Sequence, residues 1–140
     1  LFRGAARASE IEGANHAEAI RNLDAVPNAP PVAPVVRGTE QNLRLAIDTM
    51  RASCQSLYPP ALSQAQDAGN ADAARTFNFS RMAQESNLQL FELAAADSAS
   101  WKSNVAEVHI CTVCGWLSLD ERFEKCPICF APKAQMELMR

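Results

Sequence analysis

Two Cys-x-x-Cys pairs, Cys111/Cys114 and Cys126/Cys129, lie close together near the C-terminal end of this 140-residue chain. They constrain the fold more than any other feature. In such a pair a tight turn aims two sulfurs at one point, while the turn's backbone N–H groups swing toward those sulfurs and stabilise thiolate charge. Two turns facing each other make a tetrahedral four-sulfur site, which suits zinc or a single iron. Cysteines clustered in this way indicate a metal module, whereas a secreted disulfide scaffold spreads its cysteines through the chain. Two disulfides are the competing reading. The module, taken as residues 105–140, is too short to bury much of a core, so a bound metal is expected to hold it folded. Gly115 follows the second cysteine of its turn, where positive φ is wanted; Phe130 stands at the equivalent place in the other turn. The fifth cysteine, Cys54, lies in a helical pattern and reads as a small buried hydrophobe.

Upstream, the apolar spacing is helical throughout. A helix is expected over about 1–24, with Gly13 as its weak point. Residues 25–38 carry four of the eight prolines and read as an extended connection. Thr39 is the expected N-cap of a helix that Tyr58-Pro59-Pro60 kinks or divides and that Gly69 stops. Asn70 caps the next helix, which runs to about Ala96, and the polar stretch 98–104 links it to the cysteine module. The expected organisation is a helical domain over 1–97, a linker over 98–104 and the metal module over 105–140.

Hydrophobic residues make up 48% of the chain and charged ones 21%, as in a soluble globule. The net charge of −3 gives no basic footprint for nucleic acid, and no apolar run reaches the length of a membrane span. The chain opens at Leu1-Phe2-Arg3-Gly4 with neither an initiator Met nor a signal-peptide pattern, so it is expected to be processed, trimmed or incomplete at that end, with the cytoplasm as its default location.

His109-Ile-Cys-Thr-Val-Cys-Gly-Trp116 and Lys125-Cys-Pro-Ile-Cys-Phe-Ala-Pro-Lys133 resemble the rubredoxin-like tail of rubrerythrins. Phe130 replaces the usual glycine of that pattern, which bears on turn geometry more than on metal binding. The resemblance continues upstream. Leu1-Phe-Arg, Ile11 and Asn15-His16 resemble the start of the second bundle helix of rubrerythrins, Asn42–Ile47 with Leu57-Tyr-Pro59 the third, and Asp67–Phe77 the turn into the fourth. The first bundle helix has no counterpart. The implied fold is an incomplete, three-helix, all-α ferritin-like bundle followed by a small rubredoxin-like metal-binding module.

The resemblance implies one iron per chain, held by Cys111, Cys114, Cys126 and Cys129 and cycling between ferric and ferrous states; the spacing by itself leaves zinc open. It also implies a di-iron site among the helices, where peroxide is reduced. The positions it assigns to those ligands carry Ser9 and Glu12, Met50 and Ser53, and Gln84 and Asn87. Glu12 alone offers a carboxylate, and the chain contains no Glu-x-x-His, the helical pair that such sites use. The implied function is therefore electron transfer without catalysis by the chain itself: the helices serve as a docking or assembly scaffold and a redox protein is the partner. A structural zinc subunit of a larger complex is the alternative, and a rubrerythrin-type peroxidase a further one. Three amphipathic helices leave an apolar trough, from which a homo-oligomer or a place in a larger complex is expected.

Smaller expectations complete the reading. Glu12 and His16 share a helix face, as a metal-binding pair or as a surface ion pair or core-edge histidine. His109 flanks the module on a strand. Glu85, Glu92 and Asp97 form a solvated face, and Met50, Met82 and Phe91 pack in the core.

Overall fold

The computed structural model describes residues 1–28, 33, 35–104 and 107–140. Among the described residues five α-helices precede a small sheet: α1 (Phe2–Arg21), α2 (Thr39–Ala52), α3 (Tyr58–Asp67), α4 (Ala71–Ala96) and α5 (Ser98–Asn104), then β1 (Val108–Cys111), β2 (Leu117–Ser118) and β3 (Met136–Met139). The sheet is antiparallel in the order β2-β1-β3, with Ile110 opposite Leu117 on one side and Glu137 on the other.

Helices α2 and α3 form one rod, joined by a π-helical turn over Ser53–Leu57. The cause is Pro59-Pro60. Two successive residues without N–H groups cannot continue the ordinary ladder, and the turn before them widens so that the Tyr58 N–H reaches Ser53 O, five residues back. The sequence places the interruption correctly, but the structure resolves it as a bulge rather than a break. Asn70 caps α4 as expected, accepting from the Ala73 N–H at 3.0 Å. Thr39, expected as an N-cap, is instead the first residue of α2, and Gly38 stands at the cap with no side-chain bond. Residues 98–104, expected as a plain linker, are helical: Asp97 leaves α4 and its carboxylate accepts from the Ser100 N–H at 3.0 Å, starting α5. Residues 25–28 and 35–38 have no regular structure, while 29–32 and 34, the centre of the proline-rich connection, and 105–106, the start of the module, lie outside the described residues.

The long helix α4 is the spine. Its Phe91 and Ala94 pack with Leu43 of α2, and its Ala83 lies in a second cluster with Cys111, Cys114, Cys126 and Ile128, joined by Phe79 and Met82. A third cluster binds the module to α1 through Ala8, Ile11, Val108, Ile110 and Leu117. Gly4 permits the close approach, since a Cβ there would stand 3.2 Å from Val108 Cγ1. Polar ties reinforce the seam: Arg7 pairs with Glu137 at 2.9 Å, and Arg3 donates to the Arg140 carbonyl at 2.7 Å.

Helices α1 and α2 both pack on α4. Between them runs a groove of about 610 Å³, walled by Ala5, Ala6 and Ser9 on one side and Leu45, Ala46 and Thr49 on the other, with Phe91 among its lining residues. This is the trough expected from the helix count. Phe2 and Leu45 on its walls are 42% and 49% exposed, so apolar surface there faces water.

Candidate metal centre

Each cysteine pair sits on a tight turn. In the first, the Gly115 N–H donates to Cys111 O at 2.9 Å and the Cys111 N–H to Trp116 O at 2.8 Å. In the second, the Phe130 N–H donates to Cys126 O at 3.0 Å and the Cys126 N–H to Ala131 O at 2.8 Å. The residue after each second cysteine has positive φ: +79° at Gly115 and +60° at Phe130. Both turns thus share one geometry, although a bulky residue adopts it in the second. Phe130 is 73% exposed, so its ring fits without displacing a neighbour, but the left-handed backbone still carries its local cost of about 1–2 kcal/mol. Gly115 has no such latitude: a Cβ would stand 3.0 Å from Ala8 O and 3.2 Å from Glu12 Oε1.

The four sulfurs converge, all within 4.8 Å of one another, with Cys111–Cys129 and Cys114–Cys126 each 3.5 Å apart. These separations are far longer than an S–S bond of about 2.05 Å, and all five cysteines are free, which removes the disulfide reading. The two 3.5 Å pairs lie near the edge of a tetrahedron, about 3.8 Å when four sulfurs surround a metal at about 2.3 Å, and no pair exceeds 4.8 Å. The donor set and its spacing therefore fit one thiophilic cation.

Electrostatics agrees. Hydrogen bonds from the Cys114 and Cys126 thiols, aided by the Val113 and Cys114 N–H groups, hold Cys111 far below the usual thiol range. Cys114 is driven up because it shares its proton with Cys111, and burial pushes Cys129 up to about 12. Four packed sulfurs cannot all ionise by themselves; a cation among them removes that conflict.

The helices grip the first turn closely. Asn15 of α1 donates to Val113 O at 2.8 Å. From α4, Ser86 accepts from the Trp116 indole N–H at 3.1 Å, and Asn87 donates to Gly115 O at 3.0 Å while accepting from the Leu117 N–H at 2.9 Å. Asn87 is 1% exposed. In the sequence Asn87 marks only a position where a ligand is missing. The signal for its role was a fully polar amide on the face of α4 that also carries Ala83 and Phe91. His109 flanks the module, its ring edge-on to Phe123 at 5.6 Å, and Phe123 meets Trp116 at 5.3 Å.

Ser9, Glu12, Met50, Ser53, Gln84 and Asn87, spread over 79 positions of sequence, all line the groove between α1 and α2. The resemblance thus grouped them correctly in space. Glu12 is not a surface residue: it is 4% exposed and accepts from Gln84 Nε2 at 2.6 Å, while Gln84 also donates to the Tyr58 hydroxyl at 3.1 Å. Burial raises the Glu12 carboxyl to about 7 against the opposing pull of Gln84, and raises the Tyr58 phenol to about 12. His16 does not join Glu12. Its Nδ1 meets Thr76 Oγ1 at 3.0 Å and its Nε2 meets Ser80 Oγ at 3.3 Å, and burial lowers its pKa. The surface ion pair is thus ruled out, and the core-edge histidine holds.

Cys54 is half-buried and directs its thiol at Arg81 O, 3.6 Å away. Glu85 and Glu92 are exposed and paired with Arg81 and Arg51, and Asp97 is exposed. Met50 packs with the Phe91 cluster, whereas Met82 belongs to the cluster around the cysteines.

Residues 109–137 match the family model described as "Rubrerythrin, rubredoxin-like domain". Rubrerythrin-2 of Clostridium acetobutylicum is 32% identical over 142 residues, an alignment covering 98% of this chain and 76% of that protein. Nigerythrin of Nitratidesulfovibrio vulgaris is 34% identical over 77 residues, covering 55% of this chain and 37% of its own. In three dimensions the chain is similar to fully reduced, all-ferrous nigerythrin, with a TM-score of 0.87 at 26% identity over 99% of this chain and 68% of that one. No helix among the described residues is long and apolar enough to cross a membrane. A helical bundle continuous with a four-cysteine, rubredoxin-like module, and a relative that matches it nearly end to end, place this chain in the rubrerythrin family.

Proposed function

We propose that this chain transfers single electrons through one iron held by Cys111, Cys114, Cys126 and Cys129, and that its helices form the cradle and docking scaffold for that centre. The observation carrying this reading is the convergence of four free sulfurs, in two turns, at the separations of a tetrahedral thiolate site. The all-ferrous state in which similar nigerythrin has been seen favours iron over zinc. Bound iron supplies a one-electron couple; the protein supplies the rest. Buried Cys111, Cys114 and Cys126 keep water from the sulfurs, while half-buried Cys129 and exposed Phe130 bring one edge of the centre to the surface. A redox partner docks at that edge, since electron transfer needs short distance rather than bond making. Residues 1–97 and 105–140 work as one unit across the α1 and α4 seam, and the exposed groove is covered in an oligomer or larger complex.

The residues at the groove support a lost di-iron function. Glu12 is committed to Gln84, and Ser9, Met50, Ser53, Gln84 and Asn87 offer no carboxylate or imidazole. Peroxide turnover by the isolated chain is accordingly expected to be negligible. The test is metal analysis with visible absorbance on protein purified from iron-replete cells. Close to one iron per chain, with a colour bleached by dithionite and restored by air, is the expected result. A colourless protein with one zinc per chain would replace electron transfer with a structural role.

A further inference from the structure

Asn87 meets the first cysteine turn at the two peptides that flank Trp116. Its Nδ2 donates to Gly115 O at 3.0 Å and its Oδ1 accepts from the Leu117 N–H at 2.9 Å. One side chain thus pairs with the turn as a neighbouring strand would, and the opposite polarity of the two contacts fixes which end of the amide is which. The same stretch is pinned at two further points: Trp116 O accepts from the Cys111 N–H at 2.8 Å, and the indole donates to Ser86 at 3.1 Å.

The Gly115–Trp116 peptide is the important one. It is a single planar unit, with C=O and N–H pointing in opposite directions. Its oxygen faces Asn87, so its N–H points the opposite way, toward the Cys114 sulfur two residues earlier, and favours the thiolate there. A donor on the carbonyl polarises the peptide and strengthens its N–H as a donor, in the way hydrogen bonds in a chain reinforce each other. Asn87 is 1% exposed and Cys114 1% exposed, so water does not compete at either end. In the second turn the equivalent N–H, from Ala131, favours the Cys129 thiolate in the same way, but beside the 73% exposed Phe130. The two halves of the centre are therefore not alike: one is clamped and dry, the other open.

From this we infer that Asn87 is a positioning residue for the metal centre: by holding the Gly115–Trp116 peptide it sets the Trp116 N–H to Cys114 hydrogen bond and raises the centre's electron affinity. The inference rests on the four cysteines holding a redox metal, as proposed above. Hydrogen bonds to sulfur stabilise the reduced, more negative form of a thiolate centre and so raise its reduction potential. A helical residue that faces the groove, and touches no sulfur, thereby adjusts the electron chemistry of the module.

Two measurements on the full chain test this. In iron-loaded protein, Asn87→Ala should lower the reduction potential with iron content unchanged. A merely structural loss would act the other way, because a loosened turn admits water, and water also favours the more negative reduced form. In wild-type protein loaded with cadmium-113, the Trp116 amide proton should show scalar coupling to the metal across Cys114; in Asn87→Ala that coupling should shrink and the amide signal should move upfield. An unchanged or raised potential, or the absence of the coupling in the wild type, would overturn the inference. The cadmium experiment needs neither iron nor a folded variant for its wild-type arm. It still decides the role of the peptide if the chain proves to carry zinc and the electron-transfer reading falls.

Discussion

Replacing Glu12 by glutamine should stabilise the protein at neutral pH and above, by an amount that depends on pH in a calculable way. Glu12 is 4% exposed, on the inner side of α1, with one oxygen bonded to Gln84 and the other toward Gly115. Burial raises its carboxyl from an ordinary 4.5 to about 7. A carboxyl raised in the folded state opposes folding once the unfolded chain ionises: the cost is absent below pH 4.5, grows as pH rises toward 7, and is constant above that. At 1.36 kcal/mol per pH unit the cost is about 1 kcal/mol at pH 5, about 2 at pH 6 and about 3 at pH 8. The variant's side-chain amide would lack the charge yet keep a carbonyl oxygen for Gln84, so Glu12→Gln should recover most of this. Urea unfolding of metal-loaded wild type and variant, compared at each pH with equal metal, isolates the difference because metal release is common to both. A stability difference independent of pH between 5 and 8, or a variant less stable than wild type at pH 8, would refute the reasoning.

The two turn positions with positive φ should respond oppositely. Gly115→Ala combines a left-handed residue, at about 1–2 kcal/mol, with a Cβ driven against Ala8 O, at about 1–3 kcal/mol. Calorimetry should therefore show a loss of roughly 2–5 kcal/mol, whereas Phe130→Gly should leave stability the same or raise it by up to about 1 kcal/mol. Cys111→Ser should cut metal content and loosen the module around β1–β3 while circular dichroism of the helices largely persists, since those helices are held by packing; full metal retention would show that Cys111 is not a ligand. Cys54→Ser should leave metal content unchanged. Asn70→Ala should cost about 1 kcal/mol through loss of the cap on α4, read as a lower denaturation midpoint, and no change would mean that the end of α3 already supports that turn.

Local chemistry made much of this protein legible from its residues in order. Cys-x-x-Cys dictates a turn, Gly115 the positive φ within it, Asn70 a cap and Pro59-Pro60 a disturbed ladder, because each depends on atoms within a few residues. The four-sulfur cluster was legible for the same reason, since two turns with a short connection can hardly avoid each other. What the order of residues left open was where the buried polar groups go. In the sequence Glu12 is the one carboxylate left at a ligand position and a neighbour of His16 on one helix face; only the packing of α1 against α4 and the first turn buries it beside Gln84 and lifts its pKa. Asn87 read as the mark of a lost ligand, and only the docking of the module shows it bonded to the peptides around Trp116. Thr39 has the chemistry of a cap, yet Gly38 occupies that place, and 98–104 closes into a helix because Asp97 turns back to cap it. These outcomes depend on contacts between residues far apart in sequence, where desolvation and hydrogen-bond geometry are set by the neighbour that arrives; sequence spacing sets periodicity and turns, but the partner of a buried polar side chain is decided by tertiary packing.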